Sequence, residues 1–390
     1  MCLLGEAYGE VEARLDTPFK GPAGFRLERM VQQLGARRED FLITNCAWFR
    51  PPGNREPTEV EVESYRERWE GAIRQAGCKV VVPLGNIPMR AVLGHWGVQG
   101  RRGYLEWSAR LDCWVLPTVH PSFIMRGNAN WTAAWLRDVE MALQVAQDGP
   151  PAMPVRELLL DPPLGDLHAL ESSLDLRVRF DAAQDVSGNL RGPDPQKCGA
   201  ENGGWGQDGL SATAADIGGH PPRTAVEWGH AWIRAGRPPL AVDIETPDKG
   251  DDEEEAELSA GTAAGTIYRV GLAYCHDTHT SVVSMAWGGA FTDLARDLLQ
   301  QAHTALVWNR HFDVPRLRAH GVTAPFWHDA QEMWHVFHPD LPKKLEFVAP
   351  FLVPAQQYWK DKSHSHPALY NAIDAALTAE GYEVLYGTAA

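Results

Sequence analysis

Acidic side chains in the C-terminal half are the residues whose types and spacing best suit chemistry. Asp243 and Glu245 lie in an apolar run, residues 240–246, that is typical of a buried strand. Because side chains alternate along a strand, the two carboxylates face the same side. Asp374 follows Tyr370 by four residues in an Ala- and Leu-rich stretch, which predicts that both lie on one face of a helix.

A further carboxylate, Asp313, follows a second short apolar run at residues 305–308. Four carboxylates on a strand, a loop and a helix would repel one another if they converged, unless they held hard cations, which prefer oxygen ligands. Two such cations would clamp the attacking water and the leaving oxygen of a phosphodiester. The sequence therefore predicts a hydrolytic site that uses two divalent cations, Mg²⁺ or Mn²⁺.

These pieces resemble the three exonuclease motifs of the 3′→5′ proofreading domain of family A DNA polymerases, over about residues 223–390. The resemblance implies a ribonuclease H-like α/β fold. It also implies four metal ligands and one residue that orients the nucleophilic water: Asp243, Glu245, Asp313 and Asp374 as ligands, with Tyr370 for the water. A ribonuclease of the same exonuclease superfamily is an alternative, because nothing in the sequence selects deoxyribose over ribose.

Length and composition indicate a globular protein of two domains. At 390 residues the chain exceeds the size at which one core usually stops growing, and 44% of its residues are hydrophobic. Its six cysteines include no Cys-x-x-Cys pair, we identify no secretory leader, and no apolar run is long enough to span a membrane. We therefore expect a soluble protein of a reducing compartment, in the cytoplasm (the host cytoplasm for a phage-encoded chain).

The net charge of −15 is distributed unevenly along the chain. Residues 1–150 carry equal numbers of basic and acidic side chains, so the excess lies entirely in the remainder. Part of it belongs to the predicted metal ligands, and more belongs to the acidic run at residues 251–257, which is typical of a solvated loop. Net charge therefore does not predict tight nonspecific DNA binding, and DNA contacts must come from local patches.

The N-terminal part alternates apolar runs with helical periodicity, which predicts a parallel sheet covered by helices on both faces. The predicted domains are residues 1–147 and 223–390, with a Gly- and Pro-rich linker at 148–222 that is disordered from about residue 185. Within the linker, residues 155–180 contain enough Leu and Val for a small appended element that the sequence does not assign. In the first domain the predicted strands are 1–4, 41–44, 79–84 and 113–117, and the predicted helices are 24–34, 60–75 and 131–147.

Polar and aromatic side chains follow the predicted strands of the first domain, at the carboxyl edge where open α/β sheets bind ligands. An Asn amide such as Asn45 donates and accepts at once, which matches the adjacent carbonyl and N–H of a uracil edge. An aromatic ring such as Phe19 can stack on a base. A His such as His120 can donate to an oxygen that gains negative charge as a base departs.

The first domain resembles the uracil-DNA glycosylase superfamily, above all its fourth, bacterial and archaeal family, over about residues 1–145. The resemblance rests on Gly-Glu-Ala-Tyr-Gly (5–9), Pro-Phe-Lys-Gly-Pro-Ala-Gly (18–24), Thr-Asn (44–45) before Arg-Pro-Pro-Gly-Asn-Arg (50–55), and His-Pro-Ser (120–122). It implies Asn45 as the uracil reader, Phe19 as the stacking platform, His120 as the leaving-group stabiliser and Glu6 near the water. The base would have to be flipped out of the duplex.

Each of these residues also has a structural interpretation when it is taken alone. His120 could be a satisfied structural histidine, Asn45 a turn residue and Glu6 a helix-cap acceptor. A degenerate glycosylase domain that only grips DNA is therefore an alternative to an active one. The sequence also leaves open whether Arg101 and two further basic residues face DNA: Arg102 and Arg126.

The chain departs from the fourth glycosylase family in two ways. That family usually holds a four-cysteine iron–sulfur cluster, with an N-terminal Cys pair and two later cysteines. Here the chain starts too late for the pair, Phe49 stands where a later cysteine is expected, and Cys46 and Cys78 alone cannot ligate a cubane. We therefore predict no iron–sulfur cluster. The family's Pro is also replaced by Tyr8, which either narrows the pocket or excludes thymine, as a similarly placed tyrosine does elsewhere in the superfamily.

Together the two resemblances predict a bifunctional DNA-processing protein, a glycosylase-like domain tethered to a 3′→5′ exonuclease. The same order resembles the front of certain bacteriophage family A polymerases, in which a polymerase domain follows. This chain ends just after the third exonuclease motif, so a polymerase encoded as a separate chain is an expected partner besides DNA. The alternative is a polymerase accessory, or an N-terminal fragment of such a polymerase, whose first domain only binds DNA.

Overall fold

The computed structural model describes residues 1–165, 221–247, 266–277 and 279–389. Most of the predicted linker, the acidic run at 251–257 and Cys198 lie outside the described residues. The chain divides into two compact units, one formed by Met1–Met153 with Asp340–Tyr358, and the other by Pro154–Pro339 with Trp359–Ala390. Both are built on sheets with helices, which confirms the predicted α/β class.

The first unit is built on a largely parallel sheet of short strands. Its described strands are β1 (Cys2–Gly5), β2 (Leu42–Asn45), β3 (Val80–Pro83), β4 (Glu106–Ser108) and β5 (Cys113–Val115). Of these five, β1 and β3 are fully buried. They are ordered β2-β1-β3-β5-β4, and only the β4–β5 pair is antiparallel. The carboxyl ends of β1, β2, β3 and β5 therefore point to one edge, where the following turns meet.

Helices surround this sheet. They are α1 (Glu10–Leu15), α2 (Pro22–Gln33), α3 (Glu59–Ser64), α4 (Arg66–Gln75), α5 (Asn86–Leu93), α6 (Val98–Arg101), α7 (Pro121–Met125) and α8 (Thr132–Asp148). Proline occupies the first position of both α2 and α7, where its missing N–H costs no helical hydrogen bond. The helix predicted at 60–75 is two helices, because Tyr65 has non-helical backbone angles.

The second unit is built on a mixed sheet. Its described strands are β6 (Val155–Leu160), β7 (Leu240–Glu245), β8 (Arg269–His276), β9 (His279–Ala286), β10 (Ala305–Val307) and β11 (Trp327–Asp329). The order is β11-β10-β7-β8-β9-β6, in which β7, β8 and β9 form an antiparallel meander and β10 and β11 run parallel to β7. This arrangement is compatible with the ribonuclease H-like fold, which remains a prediction.

Helices cover this second sheet. They are α9 (Ala225–Arg234), α10 (Gly289–Gln301), α11 (Arg310–Ala319), α12 (Ala330–Phe337) and α14 (Pro367–Ala389), while α13 (Leu345–Leu352) belongs to the first unit. The long helix α14 packs on the sheet through small side chains, Ala372, Ala375, Ala376 and Ala379. Because these side chains are short, the helix backbone lies close to β7 and β8, and polar residues of α14 reach the sheet's carboxylates.

The units divide the chain differently from the predicted domains in two places. Residues 155–160, which the sequence placed in the linker, form β6 and pair in parallel with β9 of the second sheet. Residues 340–358, which the sequence placed in the exonuclease domain, pack in the first unit. Across the described ranges, none of the helices combines the length and apolarity that crossing a membrane requires.

Candidate functional site

A cavity of about 1070 Å³ opens at the carboxyl edge of the first sheet. The five residues to which the sequence assigned a role in base recognition or catalysis line this cavity: Glu6, Tyr8, Phe19, Asn45 and His120. Of the three basic residues considered for DNA contact, Arg126 lines it, and Arg101 and Arg102 are not in its lining. Further lining residues include Arg55, Glu56, Gly97–Gly100 and Phe123. Small-ligand pockets enclose roughly 300–1,000 Å³. The cavity is therefore large enough for a flipped nucleotide.

Asn45 offers an unsatisfied polar atom at the end of β2. Its side chain is buried, and its Oδ1 has no hydrogen-bond partner among the residues that the structure describes. A buried acceptor without a partner is costly unless a ligand supplies the missing donor. Gly5 at the end of β1 permits this placement, because a Cβ there would lie 2.3 Å from Asn45 Oδ1.

Phe19 is held in a strained conformation beside Asn45. Its φ of +52° lies in the left-handed region, which is unfavourable for a residue with a side chain. Arg38 stabilises the turn by donating to the carbonyl oxygens of Pro18 (2.6 Å) and Phe19 (2.9 Å). Gly24 is required as well, since a Cβ there would overlap the Phe19 carbonyl. The Phe19 ring lies 5.6 Å from the His120 ring, centroid to centroid.

His120 caps the N-terminus of α7 and is fixed in one tautomer. The backbone N–H of Ser122 donates to His120 Nδ1 at 3.1 Å, and Ser122 Oγ lies 2.8 Å from the same nitrogen. Burial, together with repulsion from Arg126, lowers the pKa of His120 to about 4. The imidazole is therefore neutral at pH 7, and because Nδ1 accepts, the proton resides on Nε2.

Glu6 follows β1 and is a carboxyl group with a perturbed acidity. Burial and, to a smaller extent, repulsion from Glu56 raise the pKa of Glu6 to about 7, against the attraction to Arg126. A carboxyl group that titrates near neutral pH is suited to general-base work. Arg126 itself is exposed and lines the cavity, which makes it a candidate for contact with a phosphate.

Tyr8 closes one side of the cavity. Its side chain is buried, its hydroxyl donates to Asp16 at 3.3 Å, and its ring lies 5.9 Å from Trp48. Trp48 is in turn covered by the Arg68 guanidinium, 3.5 Å from the ring centroid. These contacts fix the phenol ring as part of the cavity wall.

Comparison with known proteins finds relatives for the part of the chain that forms this cavity. A sequence profile of the uracil DNA glycosylase superfamily matches residues 1–144. A type-4 uracil-DNA glycosylase of Thermotoga maritima is 32% identical over 143 residues, which are 36% of this chain and 73% of that protein. The chain belongs to the uracil-DNA glycosylase superfamily.

Two archaeal type-4 uracil-DNA glycosylases match this superfamily member over shorter stretches. The protein of Sulfurisphaera tokodaii is 31% identical over 128 residues, 30% of this chain and 58% of that protein. The protein of Archaeoglobus fulgidus is 46% identical over 87 residues, 22% of this chain and 42% of that protein. The profile match ends at residue 144, so the function of the second unit must rest on its own geometry.

The cysteines of this glycosylase-like unit do not fit an iron–sulfur cluster. Cys2, Cys46 and Cys113 are buried in an apolar core, and burial raises the pKa of each thiol. Among the described residues, the cysteines form no group at ligating distances. Phe49, at the position where the family would supply a cysteine, instead stacks on Tyr65 with ring centroids 5.9 Å apart.

The second unit brings three carboxylates together at one end of its sheet. Oxygens of Asp243 and Glu245 on β7 and of Asp374 on α14 all lie within 4.8 Å of one another. Burial raises the pKa of Asp243 well above its usual range, and repulsion from Asp374 and Glu245 adds to this. Burial and repulsion from Asp374 raise the pKa of Glu245 to about 8, against attraction to Lys360 and a hydrogen bond with Asp243. Such a group of hard oxygen donors fits a divalent cation, which would relieve the repulsion.

Asp313 and Tyr370 lie close to this carboxylate group without being part of it. Asp313 is buried in the first turn of α11, and burial raises its pKa to about 8 against a backbone hydrogen bond at Ile244. The Tyr370 hydroxyl accepts from Lys360 Nζ at 2.8 Å. The structure therefore gathers all five sequence-predicted residues of this unit into one region.

Lys360 and Asn371 are polar neighbours to which the sequence gave no role. Lys360 Nζ donates to both carboxylate oxygens of Asp374, at 3.0 and 3.1 Å. Burial alone would lower the pKa of Lys360, but the charge and hydrogen-bond contacts with Asp374 and Tyr370 together outweigh it, and the pKa is raised. Asn371 Nδ2 donates to Asp243 Oδ2 at 2.8 Å. Asn371 lies between Tyr370 and Asp374 in the sequence, so its position could have indicated a role at the site. Lys360 lies in a polar segment without any periodic pattern, so the sequence gave no such indication.

Proposed function

We propose that the first unit hydrolyses the N-glycosidic bond of deoxyuridine in DNA. One observation carries this proposal: the Oδ1 of Asn45, in the cavity lining, is buried and has no hydrogen-bond partner among the described residues. The N3–H of a flipped uracil would donate the missing hydrogen bond. Membership of the uracil-DNA glycosylase superfamily supports the same reaction.

The remaining cavity residues support the steps of that hydrolysis. Phe19 stacks on the uracil ring beside His120. The bond between C1′ and uracil N1 breaks, and its electron pair leaves with the base. The neutral His120 donates from Nε2 to uracil O2 as negative charge develops there. A water oxygen bonds to C1′, and its proton passes to the ionised Glu6. No step of this scheme requires a metal.

The test uses the purified chain with EDTA and a 5′-labelled oligonucleotide that contains one uracil. Alkali then cleaves any abasic site, and the products are resolved by size. We expect cleavage at the uracil alone, and a loss of about 10²–10⁴-fold in rate for His120→Ala or Asn45→Asp. Wild-type rates in both variants would refute the assignment. An intact strand for the wild type would favour a DNA-binding accessory of a separate polymerase.

A second candidate function for the chain is 3′→5′ exonuclease activity in the second unit. The convergence of Asp243, Glu245 and Asp374 on one point favours it. Two divalent cations held there, with Asp313 assisting, would stabilise the attacking and leaving oxygens of the terminal phosphodiester. Asn371 orients the Asp243 carboxylate, and the Tyr370 hydroxyl is available to orient water.

The nuclease proposal is tested with a single-stranded DNA oligonucleotide that has a free 3′ end and a label at its 5′ end, in Mg²⁺ or Mn²⁺. We expect stepwise shortening of the labelled strand that EDTA abolishes and that Asp243→Asn slows by about 10²–10³-fold, the order typical for loss of one transition-state charge stabiliser. A matched RNA strand distinguishes deoxyribonuclease from ribonuclease activity. Undiminished degradation by Asp243→Asn would exclude this site.

A further inference from the structure

The segment Asp340–Tyr358 belongs to the glycosylase-like unit although it is almost two hundred residues away along the chain. Its helix α13 buries Leu345, Phe347 and Val348. Its backbone also supplies acceptors to the first unit, since Tyr104 Oη donates to the carbonyl oxygen of Glu346 at 2.6 Å. The segment is therefore part of the fold that carries the cavity.

Arg102 connects this segment to the turn that bears His120. The side chain is fully buried, and its Nη1 donates to the carbonyl oxygen of Phe347 at 3.1 Å. Its Nε donates to Asp138 Oδ2 at 2.8 Å, and the same carboxylate oxygen accepts from Thr118 Oγ1 at 2.6 Å. Thr118 stands two residues before His120. A continuous buried network thus joins the distant segment to the catalytic turn.

The segment also supports the cavity wall formed by Gly97–Gly100. The Arg101 guanidinium, next in the chain, lies 4.0 Å from the centroid of the Tyr358 ring, and Tyr104 meets the same ring edge-on at 5.3 Å. A Cβ at Gly100 would lie 3.5 Å from Glu346 Oε1 and 3.9 Å from Tyr358 Oη. Gly100 of the wall therefore lies close to Glu346 and Tyr358.

A third chain of contacts links the segment to α7, which also lines the cavity. The Phe347 ring packs edge-on against Trp131 with centroids 5.0 Å apart, and Trp131 packs in the same way against Phe123 at 5.2 Å. Phe123 lines the cavity on α7. The segment thus supports the cavity wall at Gly97–Gly100 and the wall at α7.

We propose that Asp340–Tyr358 is a positioning element for base excision, which holds the Gly97–Gly100 wall and the His120 turn in the geometry that a flipped uracil needs. The inference rests on the proposed glycosylase function. Its physical basis is that a displacement of about 1 Å around a reacting group costs up to about 10²-fold in rate. Tyr358 is the residue through which it can be tested, because its ring lies against Arg101 and its hydroxyl lies close to Gly100 of the wall.

The experiment compares full-length wild type with Tyr358→Ala and Tyr358→Phe, and with Tyr386→Ala, a half-exposed tyrosine of the other unit, as the matched control. We expect Tyr358→Ala to lower kcat/KM for a uracil-containing duplex by up to about 10²-fold, with part of the loss as a raised KM because the cavity wall is displaced, and Tyr358→Phe to stay close to wild type. If Tyr358 only stabilised the fold, Tyr358→Ala would reduce the fraction of protein that is active. The apparent kcat would then fall and KM would stay unchanged. Unchanged KM in Tyr358→Ala would overturn the inference.

A second measurement separates this inference from the glycosylase proposal. Hydrogen exchange at residues 97–103 of the free protein should be faster in Tyr358→Ala than in wild type, Tyr358→Phe or Tyr386→Ala, because the wall loses its support. Equal exchange in all four proteins would overturn the inference whether or not the wild type releases uracil. Faster exchange in Tyr358→Ala, found together with a wild type that releases no uracil, would refute the proposed reaction and would retain only the support that the segment gives to the Gly97–Gly100 wall.

Discussion

The acidity of Glu6 makes the pH dependence of uracil excision a direct test of its role. With a pKa raised to about 7, Glu6 is about 1% ionised at pH 5, about 10% at pH 6 and half ionised at pH 7. If its carboxylate must accept the proton of the attacking water, the rate of chemistry should rise about tenfold per pH unit up to about pH 6.5 and level off above pH 8. His120, with a pKa of about 4, stays neutral over this range and adds little curvature.

The assay is single-turnover release of uracil in EDTA, at constant ionic strength from pH 5 to pH 9, with substrate binding measured at each pH. Glu6→Gln should flatten the profile and lower its plateau by about 10²–10⁴-fold. A wild-type rate that is essentially constant from pH 6 to pH 9, as expected for a glutamate with its ordinary pKa of about 4.3, would refute the proposed role of Glu6.

Two neighbours of Glu6 provide opposite controls on the same profile. Glu56→Gln removes a repulsive charge and should move the inflection to lower pH, while Arg126→Gln removes an attractive charge and should move it to higher pH. Shifts in the same direction would mean that the inflection does not report Glu6.

Three further predictions follow from other contacts. Tyr8→Gly removes the fixed ring from the cavity wall and should confer slow release of thymine from a T·G mismatch. If the variant still releases no thymine, the Tyr8 ring is not what excludes thymine. Lys360→Met should strengthen Mn²⁺ binding in calorimetry by about tenfold, or ~1.4 kcal/mol, because no ammonium then competes for Asp374; weaker binding would contradict that competition. Arg102→Met leaves Asp138 buried without its counter-ion and should lower the free energy of unfolding of the first unit in urea by about 3–5 kcal/mol, with partial recovery in Arg102→Met/Asp138→Asn.

Much of the cavity could be predicted from the sequence because its residues follow strand ends. The apolar runs that became β1, β2 and β5 are short and parallel, so the turns after them meet at one edge of the sheet. Asn45 and His120 therefore come together although 75 residues separate them. In the same way, alternation along β7 places Asp243 and Glu245 on one face.

The pairing of β6 shows what a local pattern cannot specify. Residues 155–160 have enough Leu and Val for a strand, but nothing within them indicates that they pair in parallel with β9, more than a hundred residues later. The choice of partner depends on the unpaired edge that the meander leaves, and that edge exists only once β7, β8 and β9 have assembled. The sequence could therefore indicate an element there without placing it.

Arg102 illustrates the same limit at the level of function. From the sequence, Arg101 and Arg102 form a basic pair in a glycine-rich loop, which is a reasonable candidate for DNA contact. The structure buries Arg102 completely, because Asp138 neutralises it on one side and the rings and backbone of α13 cover it on the other. A buried arginine needs both a counter-ion and partners for its remaining donors. Phe347 supplies one of those partners from a helix that the sequence assigns to the other domain, so the role of Arg102 is defined only by a non-local contact.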